Sequence, residues 1–333
     1  MKLKRLAHLP VYQQETLNVK VPPTRVIQTT EYQQFIPQHK LDSFRTGTIP
    51  IIYIPSIFPS EVIDQIKNDA KALEHFGGGV QSAGVAKGFG LEQNIRKDVH
   101  QLWLSTPGQV LCVDSTPYVG DLSARQKLFD TVEQIRRELM HGTNNSDDTD
   151  WYFLSESERR QRYYDSLWGS KTEEVSISID EQNSNIVQGI DILHPSHIEL
   201  SYLSYSKGSF YRRHVDRIKS EGGQKRNSNR IVSFILYLGS DDDVFRDWDP
   251  NRDGGCLRVY GKESVECLKH QGVKYTSTND DEIDLDLNTG EEYIDISPSP
   301  GTLVLFDSSR VPHEVRETHR SRRCVVGWLG SPN

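Results

Sequence analysis

The apolar positions of this chain keep two rhythms. In VIDQIKNDAKALEHF, Val62, Ile63, Ile66, Ala70 and Leu73 fall on one helical face, with Pro59-Ser60-Glu61 as start signal and Gly77-Gly78-Gly79 as stop. A second stripe, Leu128, Val132, Ile135 and Leu139, runs through LSARQKLFDTVEQIRRELM and ends at His141-Gly142. From about Ile198 the rhythm shortens to runs rich in Tyr, Val, Ile and Leu: HIELSYLSY, RIVSFILYL, GGCLRVYG, GTLVLFDS and CVVGWLG, punctuated by Gly, Pro and Asp. An earlier strand is expected at IPIIYIP, Ile49 to Pro55, after an arm rich in Gln, Pro and Thr. GTNNSDDTD, residues 142–150, reads as a loop and the best internal boundary, with a short charged helix after it in SESERRQRYYDSLW. The acidic stretch from Thr276 to Glu292 reads as a solvated insertion between strands.

This pattern predicts an α+β chain whose all-β half is a double-sheet jelly roll or barrel, the class to which cupins belong, supported by N-terminal helices, with a double-stranded β-helix (jelly-roll, cupin-like) core as the expectation. The expected divisions are an arm over 1–48, a helical and strand N-terminal part of the same unit over 49–195, and the jelly-roll core over 196–333.

Composition narrows the function classes. With 333 residues and 35% hydrophobic content, a sizeable core is within reach. No run approaches the 18 or so apolar residues of a membrane-spanning helix, and MKLKRLAHLPVYQQ has no apolar stretch of a secretory signal. The four cysteines form no CxxC pair, which disfavours a disulfide framework or a cysteine zinc site, and a cytoplasmic or nuclear setting is expected. A net charge of −8 argues against nucleic-acid binding. Locally, Lys207 to Arg230 is strongly basic, either a solvated loop or a rim for an anionic cosubstrate or acidic peptide.

The candidate chemistry centres on His214-Val215-Asp216. On a strand, residues two apart share a face, so imidazole and carboxylate can grip one ion. His197-Ile198-Glu199 offers a similar pair, yet only the first keeps suggestive company. His313 follows the strand GTLVLFDS, and Arg322 follows nine residues after it, leading into CVVGW. Two histidines and a carboxylate occupy one face of an octahedral iron(II) and leave three positions open. An arginine such as Arg322 could neutralise an anionic cosubstrate by a two-point contact. Alternation sets Arg322, Cys324, Val326 and Trp328 on one face and Arg323, the alternative anchor, on the other. Asp249-Pro250-Asn251-Arg252-Asp253-Gly254 copies half of a calcium loop but has Tyr260 where the bidentate Glu belongs, so it reads as a turn between strands.

With these residues in place, the chain resembles the prolyl 4-hydroxylase group of iron(II) and 2-oxoglutarate oxygenases, in particular the hypoxia-inducible-factor prolyl hydroxylase branch, over roughly Leu203 to Leu329. The resemblance rests on Tyr211 in YRRHVD, Tyr237 in RIVSFILYL, Gly254-Gly255-Cys256-Leu257-Arg258-Val259-Tyr260, Pro312-His313-Glu314-Val315, Arg322 and Trp328, with NIRKDVHQLWL upstream similar to the family's N-terminal strand pair. It implies that His214, Asp216 and His313 hold Fe(II), that Arg322 and Tyr237 bind 2-oxoglutarate, and that Tyr211 shapes the pocket. O2 and 2-oxoglutarate are then cosubstrates, L-ascorbate is a candidate reductant, and the substrate is a proline in a protein or peptide. On the residues alone, Tyr237 and Trp328 also read as core aromatics, with Trp328 and Arg323 kept as further pocket candidates. Two rivals stay open: the same mechanism on a free amino acid or small molecule, and a sensor that binds iron and 2-oxoglutarate without turnover.

Overall fold

Among the described residues ten strands, all paired antiparallel, form the curled sheet around which the rest is built. In the computed structural model the described residues are 35–76, 80–83, 94–105, 119–141, 190, 193–217, 229–242, 247–273 and 290–331. The strands are β1 (Ile51–Ile54), β2 (Gln81–Ser82), β3 (Arg96–Ser105), β4 (Ile198–His214), β5 (Arg230–Gly239), β6 (Leu257–Tyr260), β7 (Tyr293–Ile296), β8 (Leu303–Asp307), β9 (His313–Val315) and β10 (Arg322–Gly330). They run in the order β1-β8-β5-β10-β4-β9-β6-β7, with β3 also on β4 and β2 on β3. The helices are α1 (Gln38–Arg45), α2 (Ser60–Phe76), α3 (Leu122–His141), the single turn α4 (Pro250–Asp253) and α5 (Lys262–His270).

The 17-residue β4 joins the two layers. Its first half, Ile198 to Tyr205, pairs with β10, and its last residues, Tyr211 and His214, pair with β9. Between them Gly208, at φ 85°, donates its N–H to the Thr318 carbonyl, and the β4–β9 register shifts between Tyr211 and His214. The result is the jelly-roll, or double-stranded β-helix, fold expected from the strand pattern.

Each strand of the major layer separates two apolar clusters by simple alternation. On β5, Val232, Phe234, Leu236 and Leu238 pack against the helices, while Ile235 and Tyr237 point inside the roll. On β8, Leu303 and Leu305 face the helices, and Val304 and Phe306 face inward. The helical cover uses the stripes read from the sequence. Val62, Ile63, Ile66, Ala70 and Leu73 of α2 and Leu128, Val132, Ile135 and Leu139 of α3 are all buried against the sheet, each larger aliphatic chain contributing about 1.5–3 kcal/mol.

The α2 stripe also carries a carboxylate, Asp69. It is fully buried and saturated: Arg125 donates to it at 3.0 and 2.7 Å, the Tyr202 hydroxyl at 2.8 Å and the Asp121 N–H at 2.7 Å. Such pairing is what makes a charge tolerable between helix and sheet.

The structure departs from the sequence pattern in the segment expected to be arm. Gln38–Arg45 is helical, held by only two buried residues, Leu41 and Phe44, too few to register as a periodicity. The calcium-like segment is indeed a turn: Asp249 caps α4 by accepting the N–H groups of Asn251 and Arg252. The expected loop at 142–150, the charged helix in 155–168 and most of the acidic insertion, residues 276–289, lie outside the described residues. Among the described residues no helix is long and apolar enough to cross a membrane.

Candidate metal centre and adjoining pocket

His214 is the last residue of β4, and across the ladder its register partner is His313, the first residue of β9. Pairing therefore sets the two imidazoles side by side, with ring centroids 4.3 Å apart. Each ring's Nδ1 faces a backbone carbonyl, Arg212 at 2.8 Å for His214 and Val311 at 3.0 Å for His313. A carbonyl can only accept, so Nδ1 carries the proton and the Nε2 lone pair is left for an ion. Both Nε2 atoms face Asp216, at 3.5 Å from Oδ1 for His214 and 3.9 Å from Oδ2 for His313. One ligand atom from each residue can be chosen so that all three lie within 4.8 Å of one another, and this is the one such cluster among the described residues.

Alternation brought His214 and Asp216 together in the sequence reading, but the strand ends at His214 and Asp216 sits in the bend beyond it. What turns the carboxylate inward is tertiary. The Ser233 hydroxyl donates to Asp216 Oδ2 at 2.6 Å, and the Arg217 N–H donates to the Ser308 carbonyl at 2.8 Å.

The electrostatics suit cation binding. Burial alone would push the Asp216 carboxyl up, but the two imidazoles beside it and the hydroxyl donated by Ser233 outweigh it and hold the group well below the usual carboxylate range. Burial, with the neighbouring His214, pushes His313 down to about 4, so its imidazole is neutral at ordinary pH, the form a metal binds.

Deeper in the roll lies Arg322. It is 1% exposed, and its guanidinium sits 4.4 Å from the Tyr205 ring and 5.4 Å from the Tyr237 ring. Its Nε and Nη1, and the Tyr237 hydroxyl, are buried with no hydrogen-bond partner among the described residues. A buried guanidinium with two idle donors costs several kcal/mol unless an anion meets it. The neighbouring backbone comes close to the arginine. Gly255, at φ 66°, would place a Cβ 2.9 Å from Thr318 Cγ2 and 3.3 Å from Arg322 Cδ, so a side chain there would crowd the arginine. Burial pushes the Tyr237 phenol up, keeping it a donor.

The remaining candidates separate cleanly. Arg323 points the other way, at the α2 side of the sheet, where Asp241 at 2.6 and 2.8 Å and Glu74 occupy it. It lines a shallow hollow with Ala70, Glu74, His100 and Tyr202, away from the triad. Tyr211 stacks on His214 with centroids 3.8 Å apart, and burial pushes its phenol up to about 12. Trp328 lies under the Arg230 guanidinium at 3.6 Å, its indole N–H buried and unpartnered among the described residues. Glu199, the carboxylate of the rival pair, is instead bound two-fold by Arg230. Of the basic segment, Arg213 pairs with Glu291 at 2.6 Å, while Lys219, Lys225 and Arg226 lie outside the described residues.

Two features escaped sequence reasoning. Tyr205 is the register partner of Arg322 across β4 and β10, a pairing between residues far apart in sequence that only the ladder reveals. Ser233 and Ser308 carry no motif.

The roll thus sets two histidines and a carboxylate within ligand reach of one another, and holds a buried arginine whose Nε and Nη1 have no partner among the described residues, a donor set that could hold a metal ion and receive an anion. Residues 200–330 match the model of the 2OG-Fe(II) oxygenase superfamily. No curated protein matches the chain. Among solved structures, the chain is similar to a prolyl-4-hydroxylase from Pseudomonas putida, at 21% identity over 87% of this chain and 96% of that one, with a TM-score of 0.49. It is also similar to a prolyl hydroxylase from Trichoplax adhaerens, solved with a hypoxia-inducible-factor peptide fragment, at 14% identity over 88% and 90%, TM-score 0.49. A viral collagen prolyl hydroxylase from Paramecium Bursaria Chlorella virus-1 follows at 10% identity over 85% and 96%, TM-score 0.39. The superfamily's cosubstrates and metal, 2-oxoglutarate, O2 and Fe(II), suit the donor set present here.

Proposed function

We propose that this chain is an Fe(II)- and 2-oxoglutarate-dependent dioxygenase that hydroxylates a proline in a protein or peptide. The observation that carries the reading is the joint presence, in one roll, of two imidazoles with free Nε2 atoms beside Asp216 and of a buried arginine whose donors await an anion. His214, Asp216 and His313 hold the ion. Arg322 receives the far carboxylate of 2-oxoglutarate by its forked donors, and the Tyr237 hydroxyl donates to the same group. When bound, Fe(II) and 2-oxoglutarate supply the oxidising chemistry: O2 is reduced as 2-oxoglutarate loses CO2 and becomes succinate, and one oxygen atom enters a substrate C–H bond.

The protein's own part is to bind and orient. The backbone carbonyls of Arg212 and Val311 fix the tautomer of each histidine, the apolar walls of Leu203, Ile235, Val259 and Val304 exclude water, and Tyr211 limits movement of His214 by stacking on it. The prolyl assignment rests on the motif set Tyr211, Gly254-Gly255-Cys256-Leu257-Arg258, Pro312-His313-Glu314-Val315 and Arg322, which is similar to that of prolyl 4-hydroxylases. Extended proline-rich segments suit such a surface because they bring little conformational entropy to lose.

The test is succinate formation by anaerobically purified chain given Fe(II) and 2-oxoglutarate and then O2, with His214→Ala as control. Succinate that rises on adding proline-containing peptides, with a gain of one oxygen atom on proline, is the expected result. Oxygen gain on a free amino acid would keep the mechanism and overturn the peptide substrate. Bound iron and 2-oxoglutarate with no succinate, across peptides and small molecules alike, would leave a sensor. Adding L-ascorbate to the same assay shows whether it sustains turnover.

A further inference from the structure

Asp216 faces a positioning problem that its two partners do not. His214 and His313 are held by the ladder and by their Nδ1 bonds, whereas Asp216 lies beyond the end of β4, where no ladder fixes its side chain. Its support comes from the neighbouring strands. Ser233 of β5 donates to Oδ2 at 2.6 Å, and the Ser233 Oγ lies 2.7 Å from Ser308 Oγ, just past β8. Both serines are buried.

The direction of this chain follows from counting protons. A hydroxyl has one, and an ionised carboxylate can only accept. Ser233 gives its proton to Asp216, so the bond between the serines must be donated by Ser308. Ser308 is itself anchored: its N–H donates to the Ile231 carbonyl at 3.1 Å, and its carbonyl accepts the Arg217 N–H at 2.8 Å. One residue thus holds the segment after Asp216 by its backbone and the Asp216 carboxylate by its hydroxyl.

We propose that Ser308 and Ser233 form a directional hydroxyl relay that commits Asp216 Oδ2 to the protein and so holds the carboxylate beside His214 and His313. The inference rests on the metal-site reading above. Ser233 and Ser308 are positioning residues and touch neither ion nor substrate.

The test uses the full chain with Co(II) as probe, and reads dissociation constant by calorimetry, the Co(II) absorption spectrum, and thermal midpoint. Ser233→Ala should weaken Co(II) binding about 10- to 100-fold, in line with other losses of an outer hydrogen bond to a ligand, and should shift the Co(II) spectrum. Ser308→Ala should weaken binding less, and Ser233→Thr, which keeps the hydroxyl, should restore the wild-type value and spectrum. Ser233→Ala with Ser308→Ala leaves no unpartnered hydroxyl behind and should hold the fold while Co(II) binding stays weak, separating positioning from folding. A Ser233→Ala dissociation constant within twofold of wild type, with an unchanged spectrum, would overturn the relay and leave the metal site standing. Wild-type chain that takes up no Co(II) would overturn the metal site and the relay with it.

Discussion

Arg125 and Arg322 are two of the largest fully buried side chains in the protein, and the fold treats them in opposite ways. Arg125, between helices and sheet, meets Asp69 at 3.0 and 2.7 Å, and Asp69 in turn takes the Tyr202 hydroxyl. Arg322, inside the roll, faces the rings of Tyr205 and Tyr237 and leaves Nε and Nη1 without partners among the described residues. Evolutionary bookkeeping is not needed to see the difference, because the physics suffices: a charge removed from water is tolerated when its donors are met. Where the protein meets them itself, the charge is part of the scaffold. Where it does not, donors are left for a ligand, as the proposed function requires.

The sharpest way to break this comparison is to remove the ion's neutral ligand. His313→Ala should reduce iron-dependent succinate formation to background while far-ultraviolet dichroism stays that of the wild type; activity in that variant would remove His313 from the site. The next effect falls on the other arginine. Arg125→Met leaves Asp69 buried and uncompensated, and should lower unfolding free energy in urea by about 3–5 kcal/mol. The 2-oxoglutarate KM of the folded fraction should not move.

Acid should probe the triad as well. His313 has its folded value held at about 4, below the ordinary 6.5, so the unfolded chain binds the proton first as pH falls. The stability this contributes is present above pH 6.5 and is lost between 6.5 and about 4, amounting to about 3 kcal/mol at most. In metal-free protein His313→Gln should flatten that part of the stability curve.

Arg322→Met should raise the 2-oxoglutarate KM about 100-fold, the scale of losing charge-assisted hydrogen bonds, while the thermal midpoint holds or rises. A large loss of stability instead would make Arg322 a scaffold residue like Arg125. Smallest of all, Tyr237→Phe removes one neutral donor and should raise the same KM about tenfold with no change in unfolding.

Much of the scaffold was legible along the chain because periodicity is a local property. Val62, Ile63, Ile66, Ala70 and Leu73 mark α2, and RIVSFILYL marks β5, whatever else the chain does. The inward face of β10 was equally legible, since alternation by itself parts Arg322 from Arg323, and the two arginines do lie on opposite faces. The same rule reached a sound pairing of His214 with Asp216 by the wrong route, because the strand stops between them. Helix α1 was missed because two buried residues are too few to set a period.

By itself, then, the amino-acid order determined which segments become strands and helices, which face of each is apolar, and which residue types could bind an ion or an anion, for these follow from spacing over a few residues. Only the tertiary structure decided that Tyr205 lies opposite Arg322, that Arg323 and Glu199 are already occupied by counter-charges, and that two serines 75 positions apart hold Asp216 in place. Those outcomes depend on ladder register and on hydrogen-bond partners brought from distant strands, and neither quantity is encoded within reach of a local pattern.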